Sequence, residues 1–182
     1  MLKTNAKLVV LTGQPGSGKT TLIKKLSQEL SKNGYKINGF YTEEVRNESR
    51  TRIGFDVISI NDHKRSILSR EGSKPPKVGK YSVNVQEFEK FSFPLLTLNQ
   101  DFLIIDEIGK MELLSRSFEN ILEKTIFPAL ENNKISMLVT IPAPNKSQIQ
   151  IVERFRKQGH VFEITKENRN KIFSEIIEFL IK

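Results

Sequence analysis

The chain has 182 residues, 37% hydrophobic and 27% charged, with no cysteine and a formal net charge of +8. This length suits one well-buried α/β domain spanning residues 1–182, and the composition excludes a disordered chain, a disulfide scaffold, a thiolate metal site and a cysteine nucleophile. No apolar run approaches the roughly 20 residues of a membrane span; the first apolar stretch reads as a strand rather than a leader, so the cytoplasm is the expected compartment.

Lys7 to Leu11 is a short apolar strand, and it runs into Gly13-Gln14-Pro15-Gly16-Ser17-Gly18-Lys19-Thr20-Thr21. The pattern G-x-x-x-x-G-K-T between a strand and a helix is a phosphate-binding P-loop, or Walker A motif. Its glycines let successive N–H groups turn toward phosphate oxygens, and the following helix aims its positive end at the same point. Lys19 is expected to reach the β- and γ-phosphates, and the Thr20 hydroxyl to ligate a magnesium ion. Residues 13–21 are thus the expected nucleotide-binding loop.

Leu22, Ile23, Leu26 and Leu30 recur at helical spacing, and Asn33-Gly34 supplies a stop. Ile37 to Tyr41 reads as a second strand, leading into Thr42-Glu43-Glu44-Val45-Arg46. A β-rich basic insertion over about 45–83 follows, with strands at Arg52–Ile60 and Lys64–Leu68 around an Asn61-Asp62 turn, and a short edge strand at Lys80–Val83. Asn84 is expected to cap a helix carrying Val85, Phe88 and Phe91 and ending near Pro94.

Phe102-Leu103-Ile104-Ile105 is continuously apolar, as in a parallel strand buried on both faces, and it ends in Asp106-Glu107. Some 85 residues after a P-loop this reads as a Walker B strand lying beside the P-loop strand. Asp106 would hold the magnesium shell and Glu107 would orient and polarise the attacking water. A helix through Leu114, Phe118, Ile121 and Leu122 follows, then a buried strand over Ile135–Ile141. Thr140 at its end fits equally a polar sensor of the γ-phosphate and an ordinary β-branched strand residue. A helix at Gln148–Gln158, a last parallel strand at Val161–Ile164 and an amphipathic helix at Lys171–Lys182 complete the chain. Strands and helices alternate, so the fold class is α/β: one doubly wound, mainly parallel sheet with ligands at its carboxyl ends. His63 and His160 carry no assigned chemistry.

The positive excess lies in residues 1–100, which hold 17 Lys/Arg against 9 Asp/Glu; the remainder is balanced at 12 each. Triphosphates are the expected polyanionic partners, and nucleic acid is a weaker second. A further cation for the transferring phosphoryl group is expected from Arg46, with Arg52, Lys80 and Lys110 as other candidates. The nucleotide base is expected over Thr165-Lys166-Glu167-Asn168-Arg169, where Asn168 and Arg169 have suitable donors and a planar face; a capped helix start explains the same residues equally well.

The blocks Gly13–Leu22, Gly39-Phe-Tyr-Thr-Glu-Glu-Val-Arg46, Arg52-Ile-Gly-Phe-Asp56, Val78-Gly-Lys-Tyr81, Ile105-Asp-Glu-Ile-Gly-Lys-Met-Glu-Leu113, Thr140-Ile-Pro142 and Thr165–Arg169 together resemble the cancer-related nucleoside-triphosphatase family, whose microbial members are thermostable nucleoside-triphosphatases. The resemblance runs nearly end to end. It implies a RecA-like core and slow, magnesium-dependent hydrolysis of several nucleoside triphosphates (ATP, GTP, CTP and UTP). One departure is Asn47-Glu48-Ser49, in place of a more glycine-like turn. The working expectation is a monomeric hydrolase with Mg²⁺ as cofactor. A nucleoside or nucleotide kinase and an NTP-dependent RNA-binding switch are the alternatives.

Overall fold

The computed structural model describes residues 6–144 and 149–182. Its strands are β1 (Leu8–Thr12), β2 (Ile37–Arg46), β3 (Arg52–Ser59), β4 (Arg65–Glu71), β5 (Lys77–Val78), β6 (Tyr81–Val83), β7 (Phe102–Asp106), β8 (Ser136–Thr140) and β9 (His160–Glu163). The helices are α1 (Lys19–Lys32), α2 (Val85–Ser92), α3 (Arg116–Ile121), α4 (Phe127–Glu131), α5 (Gln150–Gln158) and α6 (Ile172–Ile181), with a π-helical stretch, Leu122–Ile126, joining α3 to α4.

The strands form one sheet in the order β5-β6-β4-β3-β2-β7-β8-β1-β9. From β2 to β9 the pairing is parallel, whereas β3, β4, β6 and β5 continue it antiparallel. Alternate side chains leave opposite faces of each strand. Val9, Leu11, Phe102, Ile104 and Leu138 therefore pack under α1 and α6. Val10, Leu103, Ile105, Met137 and Val139 pack under α2 to α5. Two faces buried at once explain why these strands carry uninterrupted apolar runs.

Three expectations need correction. The Walker B strand β7 is not beside the P-loop strand: β8 lies between them, pairing Val9 with Leu138 and Ile104 with Leu138 on its two sides. Three equally apolar strands can be ordered several ways, and only the packing of their connecting helices chooses. β6 is not the edge of the sheet, because the two-residue β5 pairs outside it. The second strand does not end at Tyr41 but continues to Arg46, held by the β3 ladder from Phe40 to Arg46. The expected start of α5 at Gln148 lies outside the described residues, and the helix begins at Gln150.

The turn at Asn47 closes without glycine. Asn47 exchanges backbone hydrogen bonds around the loop with Thr51 and Arg50, its side chain accepts from Thr51 N, and Arg50 adopts φ 60°. Asn84 caps α2 as expected, its side chain accepting from Glu87 N.

Candidate active site

β1 delivers the P-loop and α1 receives it. Gly13 has φ +142°, and a Cβ there would lie 2.3 Å from Ile164 O, so only glycine passes beneath the loop after β9. Gly18 caps α1 with φ +104° and no side-chain bond. The first turn of a 14-residue helix therefore offers its N–H groups to an anion. The Lys19 ammonium is buried over the loop, donating to Gly13 O at 2.9 Å and Gln14 O at 3.2 Å.

Asp106 ends β7, is 1% exposed, and accepts a hydrogen bond from Thr140 Oγ1 at the end of β8 through Oδ1. Its Oδ2 is buried with no hydrogen-bond partner among the described residues. Burial pushes the Asp106 carboxyl above the usual range, while the Thr140 and Thr20 hydroxyls and the Lys19 ammonium pull it back. A buried carboxylate oxygen lacking a partner is costly unless a cation completes it. With the Thr20 hydroxyl beside it, this donor set fits magnesium, which takes one or two protein oxygens and fills its shell with water and phosphate. No group of three acidic or imidazole ligands occurs among the described residues, so no all-protein cage competes with that reading.

Glu107 follows Asp106 and is half-buried. Burial raises its pKa, the adjacent Asp106 charge raises it further, and Lys19 opposes them. A second carboxyl, from Glu112, meets it around Gly109: a Cβ on Gly109 would lie 2.9 Å from Glu107 Oε1 and 3.3 Å from Glu112 Oε2. Glu112 is 5% exposed, accepts from Gly109 N at 3.0 Å, and is pushed by burial and by Glu107 to a pKa of about 8. Sequence patterning assigns Glu112 no role. Its signal was weak, an acid among apolar neighbours six residues past Asp106.

Arg156 on α5 was also missed. Its guanidinium donates to Pro142 O at 2.9 Å, reaches Thr12 Oγ1 at 3.5 Å and lies 3.4 Å from Glu153. It therefore sits at the carboxyl ends of β1 and β8, beside the residue that opens the P-loop. Nothing in chain order could show this, since Arg156 is 144 residues from Thr12.

Arg46 stands elsewhere. Tyr41 is level with Asp106 in the sheet, and five further residues at about 3.3 Å each put Arg46 roughly 16 Å beyond it. There it is exposed, paired with Glu44 and donating to Arg50 O. Four other basic residues of the insertion are similarly engaged: Arg52 with Glu44 and Tyr81, Lys80 with Glu71, Arg65 with Glu43 and Asp56, and Arg70 with Asp56. Lys110 is exposed at the rim of a cavity that includes Glu107.

The loop after β9 does reach the P-loop, through Arg169. A Cβ on Gly18 would lie 3.0 Å from Arg169 Cδ and 3.2 Å from a guanidinium nitrogen, so the stem crosses that glycine. Asn168 is engaged inside the loop: its side chain accepts from Thr165 N and donates to Glu163 O, while its own N–H bonds Thr165 Oγ1. Asn168 thus braces the loop from within, while Arg169 lies against the P-loop.

The model of the NTPase family matches residues 8–177. The cancer-related nucleoside-triphosphatase of Homo sapiens is 43% identical, covering 94% of this chain and 95% of the relative. Nucleoside-triphosphatase THEP1 of Thermotoga maritima is 40% identical, covering 94% of each. Among solved structures, the human cancer-related nucleoside triphosphatase superposes with a TM-score of 0.79 at 41% identity, over 97% of this chain and 98% of that one. THEP1 from Aquifex aeolicus superposes with a TM-score of 0.80 at 34% identity, over 96% and 99%.

Proposed function

This chain belongs to the NTPase family, and from that premise we propose that it hydrolyses nucleoside 5′-triphosphates to the diphosphate and phosphate with magnesium as cofactor. The observation that carries the reading is the partnerless, buried Asp106 Oδ2 beside Thr20 and Lys19 at the mouth of the P-loop. A protein retains so costly an arrangement where a ligand completes it.

The P-loop N–H groups and Lys19 bind the β- and γ-phosphates, Lys19 exchanging its two carbonyl partners for phosphate oxygens. A magnesium ion held at Asp106 and Thr20 would offset charge on the same oxygens. Glu107 orients the attacking water and accepts its proton, burial making its carboxylate more basic than an exposed one. Thr140 fixes Asp106 in place rather than touching phosphate. Arg156, at the carboxyl ends of β1 and β8 and on the wall of the cavity that holds Glu107, supplies the further positive charge in place of Arg46. Because Arg156 is already held by Pro142 O and Glu153, it must exchange partners to act, which suits slow turnover.

Arg169 packs its stem along Gly18 and offers a planar face to whatever ring lies above the loop. A stacked face has no donor pattern to distinguish one base from another, in keeping with broad use of ATP, GTP, CTP and UTP. Phosphate release from each triphosphate, with and without magnesium, tests the whole reading. We expect release from all four, with chelation of magnesium abolishing it; metal-independent release at the same rate would refute the role of Asp106.

A further inference from the structure

Beyond Glu107 the site opens into a cavity of about 330 Å³. One water occupies about 30 Å³ of liquid, so an attacking water accounts for only a small part of this space. Cavities that bind small organic molecules begin near 300 Å³ and are mostly apolar, with a few convergent polar groups. This one has that character. Its apolar walls are Phe55, Leu68 and Val78 of the antiparallel insertion, facing Met111, Ile149 and Val152 of the parallel core. Phe55 is steadied edge-on against Tyr81 at 5.4 Å, and Ser69 Oγ meets Met111 Sδ at 3.5 Å, joining the two walls. Hydrolysis requires none of these side chains. The insertion, by contrast, has no evident task in binding the triphosphate: Arg52, Arg65, Arg70 and Lys80 are all engaged with acids.

The polar groups are unevenly placed. Glu107 and Thr42 belong to the same cavity as Glu112, Glu153, Arg156 and Lys110. Three carboxyl groups face two cations, and Arg156 already lies against Glu153 and Pro142 O. Such walls do not suit a phosphorylated ligand, which would need a cluster of uncommitted cations. They suit an uncharged molecule with a flat apolar body and hydroxyl groups.

We propose that this cavity binds a neutral, ring-bearing alcohol of nucleoside size as a phosphoryl acceptor, with its ring between the insertion and Met111 and its hydroxyl at Glu107. The proposal rests on the reading above that the γ-phosphate lies beside Glu107. The acceptor oxygen forms a bond to the γ-phosphorus, and the bond from that phosphorus to the β,γ-bridging oxygen breaks. The nucleoside diphosphate leaves with the electron pair, and the hydroxyl proton passes to the Glu107 carboxylate. Water takes the acceptor's place when the cavity holds no alcohol, so phosphate release is the reaction observed with triphosphate alone.

The test titrates adenosine, guanosine, cytidine and uridine separately, by calorimetry, into the full chain loaded with magnesium and a non-hydrolysable ATP analogue. Each nucleoside is then incubated with γ-labelled ATP and the labelled products are separated. Val78→Trp and Ile149→Trp, two half-buried wall positions, fill the cavity from opposite sides, and each is checked for a folded circular dichroism spectrum. We expect at least one nucleoside to bind and to carry label. Either tryptophan should weaken that binding at least about tenfold while leaving phosphate release from ATP alone within about twofold. Absence of binding by all four at about 1 mM, binding without labelled product, or binding indifferent to both tryptophans overturns the proposal. Phosphate release with no nucleoside binding removes the acceptor site and leaves hydrolysis standing. Transfer to a nucleoside with no release from ATP alone supports the acceptor site and removes hydrolysis as the chain's own reaction.

Discussion

In the antiparallel insertion, arginines and lysines are numerous, mostly exposed, and many are matched to acids: Glu43 and Glu44 on β2 and Asp56 on β3 each hold two cations. At the carboxyl ends of β1, β7 and β8 charges are fewer and more deeply buried. Among the described residues Lys19 there has only carbonyl partners and Asp106 has an oxygen with none, while Glu107 and Glu112 meet around Gly109. The exposed pairs of Glu44 contribute little each, and the buried Asp56 is satisfied by two arginines. The second region cannot be stable for its own sake and makes sense where a charged ligand completes it. Charge density on the sequence pointed to the insertion, but incomplete burial points to the core.

Substitutions at the incomplete charges should be the most damaging. Glu107→Gln removes the proton acceptor and keeps the shape, so kcat for phosphate release should fall by about 10²–10⁴ with nucleotide affinity retained. Lys19→Ala should cost about 10²–10³ through lost stabilisation of the phosphoryl oxygens. Wild-type rates in Glu107→Gln would place the base elsewhere.

The two arginines sharpen the contrast further. Arg156→Ala should lower kcat by roughly 10–10², the scale of one lost electrostatic contact, while Arg46→Ala should leave it within about twofold. An equal loss in both would mean that the β2–β3 hairpin bends down onto the site. Steady-state kinetics with ground-state affinity measured in parallel decides between them.

Glu112 makes a prediction about stability rather than rate. Its folded pKa of about 8 exceeds the ordinary 4.5, so the folded state binds the proton more tightly than the unfolded chain. The favourable contribution is complete below about pH 4.5 and is lost as pH rises toward and through 8. The raised pKa values of Asp106 and Glu107 have the same sign. Wild-type stability should therefore decline from pH 5 to 8, and Glu112→Gln should remove roughly 3 kcal/mol of that decline. Urea denaturation of the ligand-free protein at several pH values measures it; parallel wild-type and variant profiles would refute the assignment.

The smallest effect is expected in the insertion. Glu44→Gln breaks exposed pairs with Arg46 and Arg52 and should cost less than about 1 kcal/mol, with the loss shrinking further in high salt. A larger loss in the same denaturation experiment would show the insertion's charges to be structural supports.

The sequence by itself determined the elements and their class. Uninterrupted apolar runs required strands buried on both faces, the glycine spacing required the P-loop, and Asn84 required a helix start, because each signal is local in φ/ψ, capping or burial. It also named Lys19, Thr20, Asp106 and Glu107, since each lies within a short pattern at a helix start or a strand end. Tertiary structure alone decided what depends on residues far apart in the chain. It inserted β8 between β7 and β1, set Arg156 against Thr12, and closed Glu112 onto Glu107 around Gly109. It also extended β2 so that Arg46 stands well beyond the level of Asp106. The physical reason is that strand order and the meeting of distant side chains follow from how helices pack across the sheet. That packing depends on the volume and shape of whole faces, which a local pattern of residues does not record.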